Sequence, residues 1–168
     1  MEKRWIYYDP PGKKAIKKLA EAINVSHPLA TVLIQRGIKE YEEARAYFRP
    51  EIQNLHDPFL MADMDKAAKR LHEAIRNQER ILVYGDYDVD GTTAVALMYN
   101  FLIRHVAGVM YYINDRETEG YGISDQGIDF AGDNEVDLII SVDCGIKASS
   151  SVDRATEKGI DFIICDHH

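Results

Sequence analysis

Two different patterns of apolar and polar positions meet near residue 80. Before that point apolar residues recur at helical spacing, which predicts helices over 13–23, 28–36 and 40–48 and a fourth beginning after Asp63. The Asp63 side chain is expected to cap that fourth helix. Its apolar residues share one face: Met64, Ala67, Ala68, Leu71 and Ile75. Residues 1–79 are therefore predicted to form a helical N-terminal segment.

After residue 80 the pattern changes to short apolar runs that alternate with helical patterns. These runs predict strands over 81–84, 109–113, 138–142 and 160–165, with helices over 92–106, 124–131 and 148–158. Strands separated by helices pair in parallel, because a tight turn cannot reach a parallel neighbour. We therefore predict an α/β fold in which the helical segment precedes a doubly wound, mainly parallel sheet over 80–168.

The composition supports a soluble protein with a substantial core. Its 168 residues are 46% hydrophobic, and no apolar run approaches the roughly 20 residues that span a bilayer. The N-terminus has no signal-like apolar segment, so we expect a cytoplasmic protein. Cys144 and Cys165 lie inside apolar runs and are expected to be buried thiols.

The net charge of −8 is unevenly distributed along the chain. Residues 1–50 carry 10 basic and 6 acidic side chains, whereas residues 51–168 carry 10 basic and 22 acidic ones. Four lysines of the first helix form either a surface that follows a phosphate backbone or a solvated helix face: Lys13, Lys14, Lys17 and Lys18. In the acidic part, clustered carboxylates repel one another unless cations lie between them, which indicates a metal site.

Chemically active side chains follow three of the four predicted strands. The segment 85–91, Gly-Asp-Tyr-Asp-Val-Asp-Gly, follows the first strand, Asp143 follows the third, and 166–168, Asp-His-His, follows the fourth. The loop after the second strand carries Arg116 and a Gly-Tyr-Gly turn around Tyr121. Because ligands of doubly wound sheets bind at the carboxyl ends of the strands, we expect these residues to share one site.

The Asp-x-Asp-x-Asp-Gly segment at 86–91 has two alternative interpretations. It matches the start of an EF-hand loop, but the twelfth position holds Leu97 where a bidentate glutamate is needed. It also resembles the first motif of haloacid dehalogenase phosphatases, with Asp88 as nucleophile and Asp90 as acid. In that family the nucleophile directly follows the strand, whereas residues 85–87 intervene here, and the Asp-His-His segment has no role.

Asp88, Asp90, Asp143 and His167 together offer carboxylate and imidazole ligands. This mixed set favours Mn²⁺, with Mg²⁺ as the alternative. Two such ions about 3.5–4 Å apart activate water and neutralise charge on a reacting phosphate. The implied reaction is therefore phosphoester hydrolysis.

Three segments resemble the first three motifs of the DHH phosphoesterase superfamily: 85–91, 142–145 and 166–168. Within it the chain is similar to the RecJ family of bacterial single-strand-specific 5′-to-3′ DNA exonucleases. That narrower likeness depends on the Arg-Glu-Thr-Glu-Gly-Tyr-Gly-Ile-Ser stretch at 116–124 and on three earlier segments: 36–38, 57–59 and 64–67. Asn114 departs from the family pattern, which usually has proline there, and we expect this to change loop stiffness and not chemistry.

The resemblance implies four metal ligands: Asp88, Asp90, Asp143 and His167. Asp143 would bridge both metal ions. His168 would face the metals or the scissile phosphate, and Asp166 would ligate or orient its histidine neighbours. Asp86 joins these two as an implied catalytic residue, unless it forms an Asx-type turn or a helix-dipole contact.

Two residues of the loop after the second strand are implied to bind substrate. Arg116 would hold a substrate phosphate, or alternatively form a salt bridge with Glu119 or another acid. Tyr121 would stack on a base, or alternatively pack within its own loop.

The family's activity implies metal-dependent hydrolysis of single-stranded DNA in DNA repair and recombination, with single-strand-binding protein or a helicase as partners of the complete enzyme. A fourth acidic ligand and a second domain, both usual in the family, are absent from these residues. We therefore expect an N-terminal fragment with little nuclease activity of its own. The alternatives are a DHH enzyme for short oligonucleotides or cyclic dinucleotides and an inactive replication scaffold, although the retained polar set disfavours the scaffold.

Overall fold

Seven α-helices and four strands make up the part of the chain that the computed structural model describes, residues 9–168 together with Arg4 and Ile6. The helices are α1 (Lys13–Ile23), α2 (His27–Gln35), α3 (Tyr41–Phe48), α4 (Met64–Asn77), α5 (Val89–Leu102), α6 (Asp125–Asp133) and α7 (Ser149–Glu157). The strands are β1 (Ile81–Gly85), β2 (Val109–Ile113), β3 (Leu138–Val142) and β4 (Asp161–Cys165). Two short 3₁₀ turns, Ile52–Asn54 and Pro58–Leu60, lie between α3 and α4.

The chain divides into two units, Met1–Leu60 and Met61–His168. The first contains α1, α2 and α3, as the helical pattern predicts. Its core consists of small and branched side chains: Leu19, Ala20, Ala30 and Leu33, with Ile16, Ile23, Val25, Ile34 and Ile38 against them. Among the four lysines of α1, Lys17 pairs with Glu21 at 3.7 Å and Lys18 with Glu40 at 2.8 Å. Part of the basic surface is therefore neutralised within this unit.

Helix α4 belongs to the second unit, so this unit begins earlier than the predicted boundary between residues 79 and 80. The apolar stripe of α4 packs against the sheet core through Ala67, Leu71, Ala74 and Ile75. The predicted side-chain cap is wrong. Asp63 has a left-handed backbone (φ 56°) that differs from the extended N-cap conformation, and its carboxylate contacts Lys66 Nζ at 2.6 Å and no helix N–H.

The sheet has the strand order β2-β1-β3-β4, and every neighbouring pair is parallel. Both faces are buried, as continuous apolar runs require. One face of β1 presents Ile81 and Val83 to the core shared with α4 and α5, and the other presents Leu82 and Tyr84 to the core shared with α6 and α7. The predicted doubly wound sheet is confirmed. No described helix is both long and apolar enough to cross a bilayer.

The strand order also fixes where a ligand crevice lies. After β1 the chain moves to one side to form β2, then returns across β1 to form β3 on the other side. This reversal leaves the carboxyl ends of β1 and β3 as neighbours, with Gly85 paired in register with Val142. In such sheets the crevice at the reversal binds the ligand. Asp86 and Asp143, the next residue after each of these strands, therefore lie at this edge.

Candidate metal centre

The candidate site begins at the turn after β3. Asp143 adopts a left-handed backbone conformation (φ 61°), which costs an L-residue free energy but which aspartate tolerates better than most. Its backbone N–H donates to the carbonyl oxygen of Cys165, 2.8 Å away, so the turn is attached to the end of β4. This attachment brings the Asp143 carboxylate to His167, where Oδ1 lies 2.9 Å from Nε2.

Three side chains that could hold a metal ion converge at this point. One donor atom each from Asp143, His167 and His168 lies within 4.8 Å of the other two. The rings of His167 and His168 stack with their centroids 4.5 Å apart. A carboxylate with two imidazoles suits a borderline divalent cation such as Mn²⁺. The structure therefore groups His168, which was predicted to face the metals, with two of the four predicted ligands.

Asp166 holds the two histidines in place. Its side chain is 2% exposed, and Oδ1 accepts hydrogen bonds from the backbone N–H groups of His167 (2.7 Å) and His168 (3.1 Å). The same oxygen lies 2.7 Å from His168 Nδ1, while Oδ2 accepts from the N–H of Ile146 at 2.9 Å. Burial raises the pKa of Asp166, but these hydrogen bonds outweigh burial and lower the pKa to about 2. Of the two predicted roles, this geometry favours orientation of the histidines.

The lowered pKa of Asp166 predicts acid sensitivity. The folded pKa of Asp166, about 2, lies below the ordinary 3.8. Its ionised carboxylate therefore contributes about 2 kcal/mol to the free energy of unfolding above pH 3.8, and this contribution is lost as pH falls towards 2. We expect Asp166→Asn to be less stable at neutral pH and to lose correspondingly less stability on acidification. Urea unfolding across the acid range measures the free energy of unfolding of each variant. Asp153→Asn, at an exposed aspartate, is the control. Parallel pH curves for wild type and Asp166→Asn would contradict the prediction.

The three aspartates of the segment after β1 have different surroundings. Asp88 caps α5 by accepting a hydrogen bond from Gly91 N–H at 2.8 Å, which explains why α5 begins earlier than predicted. Asp90 lies in the first turn of α5. Asp86 is fully buried, and Oδ1 accepts from the N–H of Tyr87 at 2.8 Å.

The second oxygen of Asp86, Oδ2, is buried with no hydrogen-bond partner among the described residues. Burial raises the pKa of Asp86, and the nearby carboxylates of Asp88 and Asp143 raise it further. An unpartnered buried carboxylate oxygen is costly unless a cation or proton compensates it. This observation fits a positively charged group at the same edge of the sheet.

Two grooves flank the candidate metal centre, and Asp166 lines both. One, of about 750 Å³, is lined by Asp90, Asp143 and His167 and by exposed apolar residues of α5, including Leu97. The other, of about 500 Å³, lies between the Tyr121 loop and the start of α7 and is lined by His168. Asp90 thus lines the same groove as Asp143 and His167, whereas Asp86, Asp88 and Arg116 line neither groove.

The predicted substrate residues occupy the loop between β2 and α6. The Arg116 guanidinium lies over the ring of Tyr87, 5.4 Å from its centroid. It forms no salt bridge with Glu119 or any other acid in the part of the chain that the structure describes. The Tyr121 hydroxyl lies 3.2 Å from His168 Nδ1, and the side chain is 57% exposed.

Sequence reasoning missed the polar network beneath this loop. Tyr84 and Asn114 are buried, and the Tyr84 hydroxyl donates to Asn114 Oδ1. Tyr84 stands in an apolar run and reads there as an ordinary core residue. The sequence signal for this network was Asn114, a polar residue directly after β2. A polar side chain that is buried there needs a hydrogen-bond partner. Asn114 therefore does more than alter loop stiffness.

The two cysteines differ in burial. Cys144 is fully buried, and burial raises the pKa of its thiol to about 12. Cys165 is only partly buried and lines the larger groove, although burial still raises its pKa. Both thiols are therefore protonated at neutral pH and are poor metal ligands in that form. The prediction of buried thiols is correct for Cys144 and incomplete for Cys165.

Comparison with known proteins gives consistent matches. The description "DHH family, N-terminal domain" applies to residues 80–168, which begin one residue before β1. The single-stranded-DNA-specific exonuclease RecJ of Bacillus subtilis is 39% identical over 165 residues, covering 98% of this chain and 21% of the relative. RecJ of Thermus thermophilus is 30% identical over 165 residues, covering 98% of this chain and 23% of the relative. The chain thus spans about a fifth of the length of these curated relatives.

Solved structures give the same match. RecJ of Thermus thermophilus in complex with Mn²⁺ has a TM-score of 0.70 at 26% identity, covering 96% of this chain and 22% of the solved chain. Exonuclease RecJ bound to manganese has a TM-score of 0.57 at 38% identity, covering 61% of this chain and 26% of the solved chain.

Proposed function

Because this chain belongs to the DHH family, we propose that it supplies metal-binding and catalytic residues to an enzyme that hydrolyses phosphodiester bonds of single-stranded DNA from the 5′ end. The observation that carries the proposal is the convergence of Asp143, His167 and His168 at the sheet's switch point. Curated relatives over nearly the whole chain are named as single-stranded-DNA-specific exonucleases. DNA repair and recombination are the processes that such an activity serves.

We propose a separate role for each residue of the candidate metal centre. Asp143 and His167 would hold the metal ion, and Asp90 lines the same groove. Asp88 joins them through the carboxylate oxygen that its helix cap leaves free. A bound Mn²⁺ or Mg²⁺ would supply Lewis acidity, lower the pKa of a water molecule and neutralise charge on the reacting phosphate. Asp166 keeps His168 turned towards the reacting phosphate.

The substrate is proposed to be single-stranded DNA, whose unpaired bases are free to enter a groove. Tyr121 offers a ring for a base beside His168. Arg116 offers a guanidinium for a phosphate and is already held over Tyr87. Single-strand-binding protein or a helicase is the proposed protein partner of the whole enzyme, and the cytoplasm is its proposed location.

The test is a chimaera in which this chain replaces the matching region of Bacillus subtilis RecJ, 39% identical over 165 residues. We expect Mn²⁺-dependent release of mononucleotides from the 5′ end of single strands, with duplex DNA spared. Parental RecJ serves as the positive control. A length series separates an exonuclease from an enzyme restricted to short oligonucleotides. A folded chimaera that releases nothing while the parent is active would overturn the proposal and favour a scaffold.

A further inference from the structure

The carbonyl groups on either side of Tyr121 are held from beneath by one buried side chain, Asn114. Asn114 is 3% exposed and directly follows β2. Its Oδ1 accepts a hydrogen bond from the Tyr84 hydroxyl, so the carboxamide is attached to the central strand β1. Its Nδ2 donates to the carbonyl oxygen of Gly120 at 3.1 Å and to the carbonyl oxygen of Gly122. Both donors and the acceptor of the carboxamide are therefore used.

The two carbonyl groups that Asn114 binds lie on either side of Tyr121 in the sequence. Gly120 and Gly122 both have positive φ, 78° and 90°, and glycine there leaves the loop many alternative conformations. The hydrogen bonds from Asn114 select one of them. In that conformation the Tyr121 ring meets the His168 ring edge to face, with centroids 5.8 Å apart. A continuous set of contacts thus joins β1 to His168.

A second anchor lies at Glu119 and acts on a different part of the loop. Burial raises the pKa of Glu119, but hydrogen bonds from the Asp115 N–H, the Ser124 hydroxyl and the Tyr112 hydroxyl outweigh it and lower the pKa. These bonds fix the turn at 115–119 and the start of α6. They do not reach the carbonyl groups around Tyr121, so Asn114 has a function that Glu119 does not duplicate.

We propose that Asn114 is a positioning residue that sets Tyr121 against His168 and thereby builds one wall of the smaller groove. The donors of the carboxamide carry this role. The ligand expected in the smaller groove, a nucleotide of the DNA strand, rests on the proposed function. The contact between Tyr121 and His168 is a property of the chain itself and is testable without substrate.

The first experiment uses NMR on this chain. In wild type we expect cross-relaxation between the Tyr121 and His168 ring protons. Asn114→Leu keeps the approximate shape and removes both donors, while Asn114→Asp keeps the acceptor and removes the donors. Both are expected to lose this signal and to leave the amide spectrum of the sheet unchanged. Asn100→Leu is the control, because the Asn100 amide donates within α5, to the carbonyl oxygen of Ala96 at 2.7 Å, and belongs to a different element from the Tyr121 loop.

Two outcomes would overturn the proposal. One is persistence of the Tyr121–His168 signal in both folded Asn114 variants. The other is global unfolding of both variants, since Asn114 would then support the whole unit and not this one loop. Loss of the signal in either variant with the sheet intact supports the proposal.

The second experiment separates positioning from general structural support. In the chimaera, Asn114→Leu and Tyr121→Ala are each expected to lower kcat about tenfold, as is usual for groups that orient a site residue. Together they are expected to cost no more than either alone, because Asn114 acts through Tyr121. Additive losses would contradict the proposal. An inactive wild-type chimaera would count against the proposed function alone, while the NMR result still decides the role of Asn114.

Discussion

Asp143→Asn is expected to lower kcat of the chimaera on the order of a thousandfold, because several kcal/mol of charge stabilisation depend on this carboxylate. Asparagine tolerates the same left-handed backbone and has nearly the same shape. The substitution therefore removes the negative charge and one oxygen of the proposed metal ligand while leaving the turn after β3 in place. We expect the folded structure and its unfolding midpoint to change little.

Two measurements check this expectation. Turnover is followed as Mn²⁺-dependent release of nucleotides, and Mn²⁺ affinity is measured on this chain by electron paramagnetic resonance. Asp153→Asn, an exposed aspartate in α7, is the matched control and is expected to behave as wild type. Unchanged turnover in folded Asp143→Asn would remove Asp143 from the mechanism.

Gly91→Ala is expected to destabilise the second unit by about 3 kcal/mol, at the upper end for overpacking a buried position. A Cβ at residue 91 would lie 2.5 Å from the carbonyl oxygen of Asp86 and 2.9 Å from its nitrogen. Both are backbone atoms, so neither can rotate away. Helix α5 would have to move, and its cap from Asp88 to the Gly91 N–H would be strained.

Urea unfolding monitored by circular dichroism measures this loss of stability. Gly132→Ala is the matched control within the same unit, because the three atoms nearest its added Cβ all belong to the flexible Lys158 side chain and lie no nearer than 3.2 Å. We also expect Gly91→Ala to weaken Mn²⁺ binding, since it displaces the segment that carries Asp90. An unfolding midpoint equal to wild type would show that α5 accommodates the methyl group.

The edge of the sheet that carries the site was predictable because parallel strands all end on the same side. Once 81–84, 138–142 and 160–165 were recognised as strands, the acids after them had to meet. That both faces of the sheet are covered followed from the continuous apolar runs, which are typical of strands buried on both sides. These inferences need only local pattern and a general rule of topology, and the structure confirms the one that concerns the fold, a parallel sheet with both faces covered.

Local conformation was harder to predict where a side chain chooses among partners. Asp63 and Asp88 both precede a helix, but only Asp88 caps one. Asp63 has a left-handed backbone and contacts Lys66, which has an exposed amine within reach. A preference for aspartate at helix starts cannot distinguish the two cases, because the choice depends on backbone geometry that the sequence does not display.

The polar network below the Tyr121 loop was not predictable. Tyr84 and Asn114 are 30 positions apart, and their hydrogen bond exists only after β1 and β2 pair. The grouping of His168 with Asp143 likewise depends on the turn at 166, where the Asp166 carboxylate binds the N–H of both following residues. Residue type alone indicates that such groups need partners and does not indicate which ones.

The left-handed backbone at Asp143 costs folding stability. Glycine would adopt that backbone without the penalty of about 1 kcal/mol that a side chain incurs there. Natural selection for folding stability alone would thus favour a glycine after β3. The carboxylate that is present instead lowers folding stability, and the metal-binding role proposed for Asp143 accounts for that cost.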